Sequence, residues 1–224
     1  MITVSAQQVA TFNRSQFDEF ATSAEVFLRH HYGVRLRGCT SVDLRDAIDV
    51  ANDLGRARGL ARRSEILLYL ACACTCGLFL FEDPRCTWLF HESSGQEVIE
   101  IPSNWNIHTF AVNLEAVPGF FSEGLLVGFE ELVLAAERRP GRPLDEALRM
   151  MTPERERFIV TPYFDQFLSA ARSASDRWGL EPRVRDRHVL LAWLFGVQFM
   201  EDPLCRAATA FLHAARTGSG GAAS

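Results

Sequence analysis

The sequence predicts an all-α protein, a helical bundle of two tandem, related half-units with a long irregular middle segment. The strongest observation is an internal repeat, because residues 66–86 align without a gap with residues 185–205. The alignment superimposes several special residues: Gly77 on Gly196, Glu82-Asp83-Pro84 on Glu201-Asp202-Pro203, and Cys86 on Cys205. Apolar residues also recur at the i, i+3, i+4 and i+7 spacing of helices on both sides of the middle segment. Such a repeat indicates two copies of one helical unit.

Each copy of the repeat begins as an apolar run of helical length. A helix that is apolar nearly all round belongs in a protein core or in a membrane. Glu65 and Glu82 bound the first run, and His188 and Glu201 bound the second. Neither run therefore reaches the roughly 18 to 20 uncharged residues that a membrane span needs. We expect two core helices and no association with a membrane.

An Asp-Pro pair follows each apolar run. Pro is favoured at the first position of a helix, and an Asp just before it can accept hydrogen bonds from the free amides there. The pairs therefore predict that a new helix starts at each site, and that the following residues form a structural motif: Gly77, Asp83, Pro84, Gly196, Asp202 and Pro203. Asn or Ser in place of either Asp should then cost little stability. The alternative, a Glu-Asp pair for acid/base chemistry or metal binding, is not needed to explain the spacing.

Turn signals set the remaining boundaries of the two halves. Thr40-x-x-Asp43 is a capping box that opens a helix, and Gly59-Leu60 closes that helix. Gly179-Leu180 matches this turn in the second half, so we expect residues 41–91 to superpose on residues 162–213. The resulting organisation has a first helical half, an irregular connecting segment, a second helical half and a disordered Gly/Ser/Ala tail: residues 1–92, 93–120, 121–216 and 217–224.

Composition excludes several classes of protein. The chain has 224 residues, of which 48% are hydrophobic and 17 are Phe, so it can bury a substantial core. Its net charge of -5 gives no electrostatic reason to bind nucleic acid or acidic membranes. All 23 basic residues are Arg. This reflects either a bias in the coding sequence or dense bidentate contacts at an interface.

The cysteines do not form a pattern typical of a metal site. Most of the six lie in apolar runs, which favours reduced thiols in the cytoplasm. A helix turns about 100° per residue, so Cys74 should face away from Cys72 and Cys76. There is no Cys-x-x-Cys pair and no His-Glu-x-x-His, and we predict neither a metal nor another cofactor. Residues 1–10 lack the features of a signal peptide, which also predicts a cytoplasmic protein.

The sequence contains no motif that would carry catalysis. A Gly-x-Ser-x-Gly elbow, a phosphate-binding loop and a dinucleotide fingerprint are all missing. The six histidines show no ligand spacing, and we interpret His188, on the second apolar run, as a core residue. We therefore predict no enzyme activity, no catalytic residue and no small-molecule substrate.

Two groups of residues are candidates for binding a protein partner. Aromatic residues on a long loop can anchor a partner, or they can pin the loop to the core. Arginines crowd the turn before the first apolar run, where they form either a solvated loop or a site for an acidic partner. The candidate partner-binding residues are Trp105, His108, Phe110, Phe120, Phe121, Arg56, Arg58 and Arg62.

A series of short motifs resembles a known family. The motifs are an Ile-Thr start followed by Gln, a Phe-rich helix ending in Leu-Arg-His-His-Tyr, Leu44-Arg45-x-x-Ile48, Arg56-Ala57-x-Gly59-Leu60, and Gly77-x4-Glu82-Asp83-Pro84 followed by Trp88. In this order they are similar to small helical proteins encoded in bacterial type VI secretion gene clusters, beside VgrG spikes, PAAR effectors and adaptor chaperones. The match covers residues 1–92, with a fainter echo over residues 162–205.

The chain departs from the family pattern in its first half. Arg58 stands where the family has an aromatic residue before Gly, and Leu80 stands where the family has Phe. Trp178 and Phe199 keep both features in the second half. The family pattern contains no catalytic residue to carry over. What the resemblance implies is an accessory role in holding, loading or neutralising a secreted effector.

Three functions from different classes follow from these observations. An effector-binding adaptor, co-chaperone or loading factor should expose an apolar or aromatic surface that contacts an effector or its adaptor chaperone. A cytoplasmic immunity protein should bind the toxic domain alone and insert a loop into its active site. An uncharacterised enzyme would need a cleft in which polar groups converge.

Overall fold

The structure is a computed structural model that describes residues 6–90, 105–116, 129–137, 144–151 and 162–217. These residues form ten α-helices, two short 3₁₀ segments and no strand, which confirms the all-α prediction. The first five helices are α1 (Ala6–Tyr32), α2 (Ser41–Ala57), α3 (Arg63–Cys76), α4 (Pro84–Thr87) and α5 (Ile107–Glu115). The others are α6 (Phe129–Glu137), α7 (Leu144–Met151), α8 (Pro162–Arg177), α9 (Pro182–Phe195) and α10 (Arg206–Thr217). The 3₁₀ segments are Trp88–Phe90 and Pro203–Cys205.

The capping box predicted at the start of α2 is present. The Thr40 hydroxyl accepts a hydrogen bond from the Asp43 amide at 3.1 Å. In return, the Asp43 carboxylate accepts one from the Thr40 amide at 2.9 Å. These two bonds satisfy amides that the first turn of a helix otherwise leaves free.

α2 and α8 end in the same way. Gly59 and Gly179 both have positive φ, at 89° and 59°. The amide of the residue after each glycine donates to a carbonyl five residues earlier, from Leu60 to Gly55 and from Leu180 to Ser175. This hydrogen-bond pattern is a Schellman motif, which reverses the chain and leads it into the next helix.

The buried helices of the repeat are α3 and α9, and their carboxyl ends meet inside the protein. Tyr69 on α3 and Trp193 on α9 are completely buried. The glycines that end the two helices approach the opposite helix end: a Cβ on Gly77 would lie 2.8 Å from the Phe195 carbonyl oxygen, and one on Gly196 would lie 3.4 Å from the Cys76 carbonyl oxygen. Side chains larger than hydrogen at these two positions would push the helix ends apart.

The segments after the two buried helices cross between the halves. α4 packs against α8, and the Pro203–Cys205 segment packs against α2. All the buried apolar residues described belong to one continuous core. The two halves are therefore packed into one another rather than side by side. The superposition of residues 41–91 on residues 162–213 remains a prediction.

The described part of the middle segment, residues 105–116, is largely helical. Residues 93–120 were expected to be irregular, but α5 occupies residues 107–115. The Asn106 side chain caps this helix by accepting from the Thr109 amide at 2.7 Å. Ile107 and Phe110 point into the core from one face of the helix. The helix is short, and its apolar face is fixed by packing against α3, which lies far from it in the sequence.

Other predictions fall on residues that the structure does not describe. Outside the described ranges lie Phe120, Phe121 and the tail from residue 218 onward. Within those ranges, no helix combines the length and the hydrophobicity required to cross a membrane.

Candidate functional site

An arginine from the α2–α3 turn and a tryptophan from the start of α5 meet on one aromatic ring. The Arg58 guanidinium lies over the Phe81 ring, 5.1 Å from its centroid. The Trp105 ring meets the same ring edge to face, with 4.8 Å between centroids. Arg58 also pairs with Glu82 at 3.5 Å. Two residues predicted separately as partner-binding are thus brought together by Phe81.

Arg62 and His108 both act on one carboxylate, that of Glu65 at the start of α3. The Glu65 carboxylate accepts a hydrogen bond from the Arg62 amide at 2.8 Å and another from the Ala61 amide at 3.0 Å. The hydrogen bond from Arg62 is the main cause that lowers the pKa of Glu65, and the charge of His108 contributes in the same direction. We call the group Arg58, Arg62, Phe81, Glu82, Trp105 and His108 the contact patch.

Phe110 does not belong to the contact patch, which corrects its assignment as a surface anchor. Its side chain is 0% exposed, and its ring centroid lies 4.5 Å from that of Phe90. Phe90 in turn contacts the edge of Trp105 at 5.8 Å. Phe110 therefore supports Trp105 indirectly, through Phe90. Its loss would open a cavity in the core.

Arg56 also lies elsewhere. It lines a separate cavity of about 550 Å³ against α1, together with Phe17, Phe20 and Arg63. Its Nε donates to the Asn52 side chain at 3.0 Å. The cluster of arginines predicted at this turn is therefore divided between two surfaces, since Arg58 lies over Phe81 and Arg56 lines the cavity against α1.

Asp83 caps the following turn as predicted, but it also holds a buried charge that the sequence analysis missed. One carboxylate oxygen accepts from the Arg85 amide at 2.9 Å. The carboxylate also pairs with the Arg85 guanidinium, from Nη2 to Oδ2 at 2.6 Å, and both side chains are buried. Arg85 then donates to the Trp193 carbonyl at 2.8 Å and the Cys76 carbonyl at 3.0 Å. The Asp83–Arg85 ion pair therefore joins the Asp83 cap to the carboxyl ends of α3 and α9.

Asp202 makes a different connection at the same place in the second copy. Oδ1 accepts from the Leu204 amide at 2.8 Å, which is the predicted cap. Oδ2 accepts from the Leu78 amide of the first half at 2.9 Å. Burial raises the pKa of Asp202, and the two amide hydrogen bonds oppose that effect. Because both oxygens are acceptors here, an Asn side chain could not replace both bonds, and the capping interpretation alone is incomplete.

The apolar thiols are poor candidates for chemistry. Burial raises the pKa of both Cys72 and Cys74 to about 12, so both stay protonated at neutral pH. Among the residues described, no group of three or more His, Cys, Asp or Glu is placed to hold a metal ion.

His188 is buried on α9 with only one of its ring nitrogens bonded. Nδ1 lies 2.9 Å from the Ser175 hydroxyl, which itself donates to the Ala171 carbonyl at 3.0 Å. Because the hydroxyl proton is used, Nδ1 must carry the imidazole proton and donate it to Ser175. Nε2 is sealed from water and has no partner in the described part of the chain. Burial, assisted by the charge of Arg177, lowers the pKa of His188 to about 4.

We expect His188 to make folding sensitive to acid. Its pKa is lower in the folded chain than in the unfolded one, so the unfolded state binds the proton first as the pH falls from about 6.5 to about 4. Protonation of His188 should lower the free energy of unfolding by about 2 to 3 kcal/mol across this window. Denaturant unfolding of wild type and His188→Phe at several pH values measures the effect. The two should diverge as the pH falls, and parallel curves would contradict this role.

Comparison of the chain with protein-family models, with curated proteins and with solved structures gives no match. The residues of the contact patch are accordingly assigned from their geometry in this chain.

Proposed function

We propose that the protein is a non-enzymatic accessory factor that binds an effector of a bacterial type VI secretion system, or the adaptor chaperone of that effector, in the cytoplasm. The observation that carries the binding role is the convergence of Arg58 and Trp105 on Phe81, at one surface. The resemblance of residues 1–92 to proteins of type VI secretion clusters supplies the class of partner.

The chemistry of the contact patch suits a protein partner. Trp and Arg are enriched among the residues that carry most of the binding energy of protein interfaces. The Arg58 side chain is partly exposed while its guanidinium rests on an aromatic ring, which limits the entropy that it would lose on binding. Trp105 is half-buried between Phe81 and Phe90, so it presents an edge held in a fixed orientation.

The charges of the patch indicate what the partner presents. Glu82 is paired with Arg58, and Glu65 is occupied by backbone amides. The exposed Arg62 side chain has no carboxylate paired with it in the described part of the chain. An acidic group next to an apolar side chain on the partner would complement Arg62 and the Trp105 edge.

The proposal is tested by co-expressing the chain with the effector, spike and adaptor proteins encoded beside its own gene. A stoichiometric complex with an effector or adaptor, stable through size-exclusion chromatography, is the expected result. A complex that requires only the toxic domain of an effector would instead identify an immunity protein. Turnover of a small molecule, with no secretion component bound, would overturn the proposal.

Within such a complex, Trp105→Ala and Arg58→Ala should each weaken binding by about 1 kcal/mol or more. The matched control is Trp178→Ala, because Trp178 is 40% exposed at the end of α8 and lies outside the patch. Titration calorimetry on variants first checked for folding by thermal unfolding measures the affinities. Wild-type affinity in folded Trp105→Ala would show that this residue only packs against the core and that the partner binds elsewhere.

A further inference from the structure

A second cavity, away from the contact patch, contains a buried arginine. It has a volume of about 220 Å³ and lies between the turn after α1, the start of α6 and the segment that leads into α10. Its walls are mainly apolar, and its polar groups are two arginines and one glutamate. The residues that matter here are Arg35, Arg37, Phe129, Glu130, Phe195 and Ala207.

Arg35 is fixed in the wall of this cavity. Its side chain is only 6% exposed. Nε donates to the Cys74 carbonyl at 2.8 Å, and Nη2 lies 3.7 Å from the Cys205 sulfur. The guanidinium also lies over the Phe195 ring, 4.9 Å from its centroid. These contacts hold the fork of the guanidinium in one orientation.

The remaining nitrogen of Arg35 is available to a ligand. Nη1 has no hydrogen-bond partner among the described residues, and it is not sealed from water. Arg35 lines the cavity, and its guanidinium contacts Cys205 and Phe195, which line the same cavity, so the guanidinium lies at the cavity wall. No described carboxylate forms an ion pair with Arg35, although its charge lowers the pKa of the more distant Asp202. A guanidinium buried with incomplete compensation is stabilised by an added anion.

The shape and charge of the cavity restrict that anion. The volume is below the roughly 300 to 1,000 Å³ of sites for drug-sized ligands, so it suits one side chain or a small acid. Glu130 at the rim disfavours a doubly charged phosphate, because like charges repel. Arg35, Arg37 and Glu130 together carry a net charge of +1, which one carboxylate balances, and the Phe129 and Phe195 rings provide an apolar surface beside them.

We infer that this cavity binds a monocarboxylate with a short apolar body, with Nη1 of Arg35 donating to the carboxylate. The same chemistry is offered by the carboxyl terminus of a peptide that ends in an apolar residue and by a free small acid. This inference does not depend on the proposed function, because the cavity shares no residue with the contact patch.

The inference is tested with two sets of probes, each compared with its own amide. The first set is valerate against valeramide, and the second is a short peptide ending in Leu with a free carboxylate against the same peptide amidated. Binding is followed by chemical shift changes in NMR spectra of the full chain. In at least one set the acid should bind saturably and about tenfold or more tightly than its amide, because a hydrogen bond to a charged group is lost. The set that binds identifies the source of the carboxylate.

Variants of Arg35 could fail to fold, so the site is blocked from its edge. Ala207 is exposed on α10 and lines the cavity, whereas Ala210 is exposed on the same helix and does not. Ala207→Leu should reduce the affinity for the acid about tenfold or more by filling the cavity, and Ala210→Leu should leave it unchanged. Absence of binding by either acid, equal binding of acid and amide, or equal affinities in the two variants would each overturn the inference.

Discussion

Replacing Asp83 with Asn is expected to lower the free energy of unfolding by about 3 to 5 kcal/mol, although the two side chains have the same size. The substitution preserves the capping acceptor but removes the negative charge that pairs with the Arg85 guanidinium, which is 0% exposed. When one partner of a buried ion pair is removed, the other charge stays buried, and the attraction that offset its desolvation is lost. Guanidinium chloride unfolding at neutral pH measures the change.

Two comparisons separate the ion pair from the cap. Asp176→Asn breaks a pair with Arg185 that is 3.0 Å long but exposed, so it should cost less than about 1 kcal/mol. Arg85→Leu introduces the residue that the second copy carries at the matching place, Leu204. In a double-mutant cycle, the loss in Asp83→Asn/Arg85→Leu should be smaller than the sum of the single losses by more than about 1 kcal/mol. Additive losses, or a cost of Asp83→Asn no larger than that of Asp176→Asn, would show that the pair does not stabilise the fold.

The parts of the fold that the sequence predicts are those set by local chemistry. The capping box at Thr40, the glycine turn at Gly59 and the Asp caps at residues 83 and 202 each depend on hydrogen bonds within a few residues. Helical periodicity likewise reflects which face of a single segment is buried. Such signals are readable because both partners of each contact lie in one short stretch.

The buried polar network could not be predicted in the same way. Arg85 bonds to carbonyls of α9, more than a hundred positions along the chain, and Arg35 bonds to the Cys74 carbonyl. Backbone carbonyls carry no sequence signal, so an arginine that caps a distant helix end looks like any surface arginine. Comparison of the two copies does not point to Arg85 either. The aligned residue in the second copy is Leu204, and this difference gives no reason to expect a buried ion pair.

The contact patch also combines features that the sequence predicts with features that it does not. Trp105, Arg58, Arg62 and His108 could be selected individually from residue type and placement in turns. The convergence of Arg58 and Trp105 depends on Phe81, a residue of the first repeat that the sequence assigns only to the core. The opposite error occurred for Phe110, since burial on the inner face of α5 depends on where that helix packs and not on its own sequence.

Gly77→Ala and Gly196→Ala should each destabilise the protein by about 3 to 5 kcal/mol. The two residues have φ of 99° and 113° with ψ near 155°, a region that is essentially restricted to glycine. A methyl group would also meet the opposite half: the Phe195 carbonyl oxygen at 2.8 Å for Gly77, and the Arg85 Nη2 and Asp83 Oδ2 atoms at 3.0 Å for Gly196. The expected loss therefore has a local part from backbone strain and a tertiary part from separation of the two helix ends.

Gly59→Ala is the control, because it replaces a glycine of positive φ without creating a close contact. Gly59 also has positive φ, at 89°, but a Cβ there would meet no atom within 4 Å. Its substitution should cost about 1 to 2 kcal/mol, from the left-handed backbone alone. Denaturant unfolding of the three variants shows whether Gly77→Ala and Gly196→Ala cost more than the loss of a positive-φ glycine that has no close neighbour. A loss in Gly77→Ala or Gly196→Ala no greater than in Gly59→Ala would mean that the ends of α3 and α9 can separate at little cost. The ion pair of Arg85 would then stabilise only its own turn, because the helix ends that it joins would not be held in place.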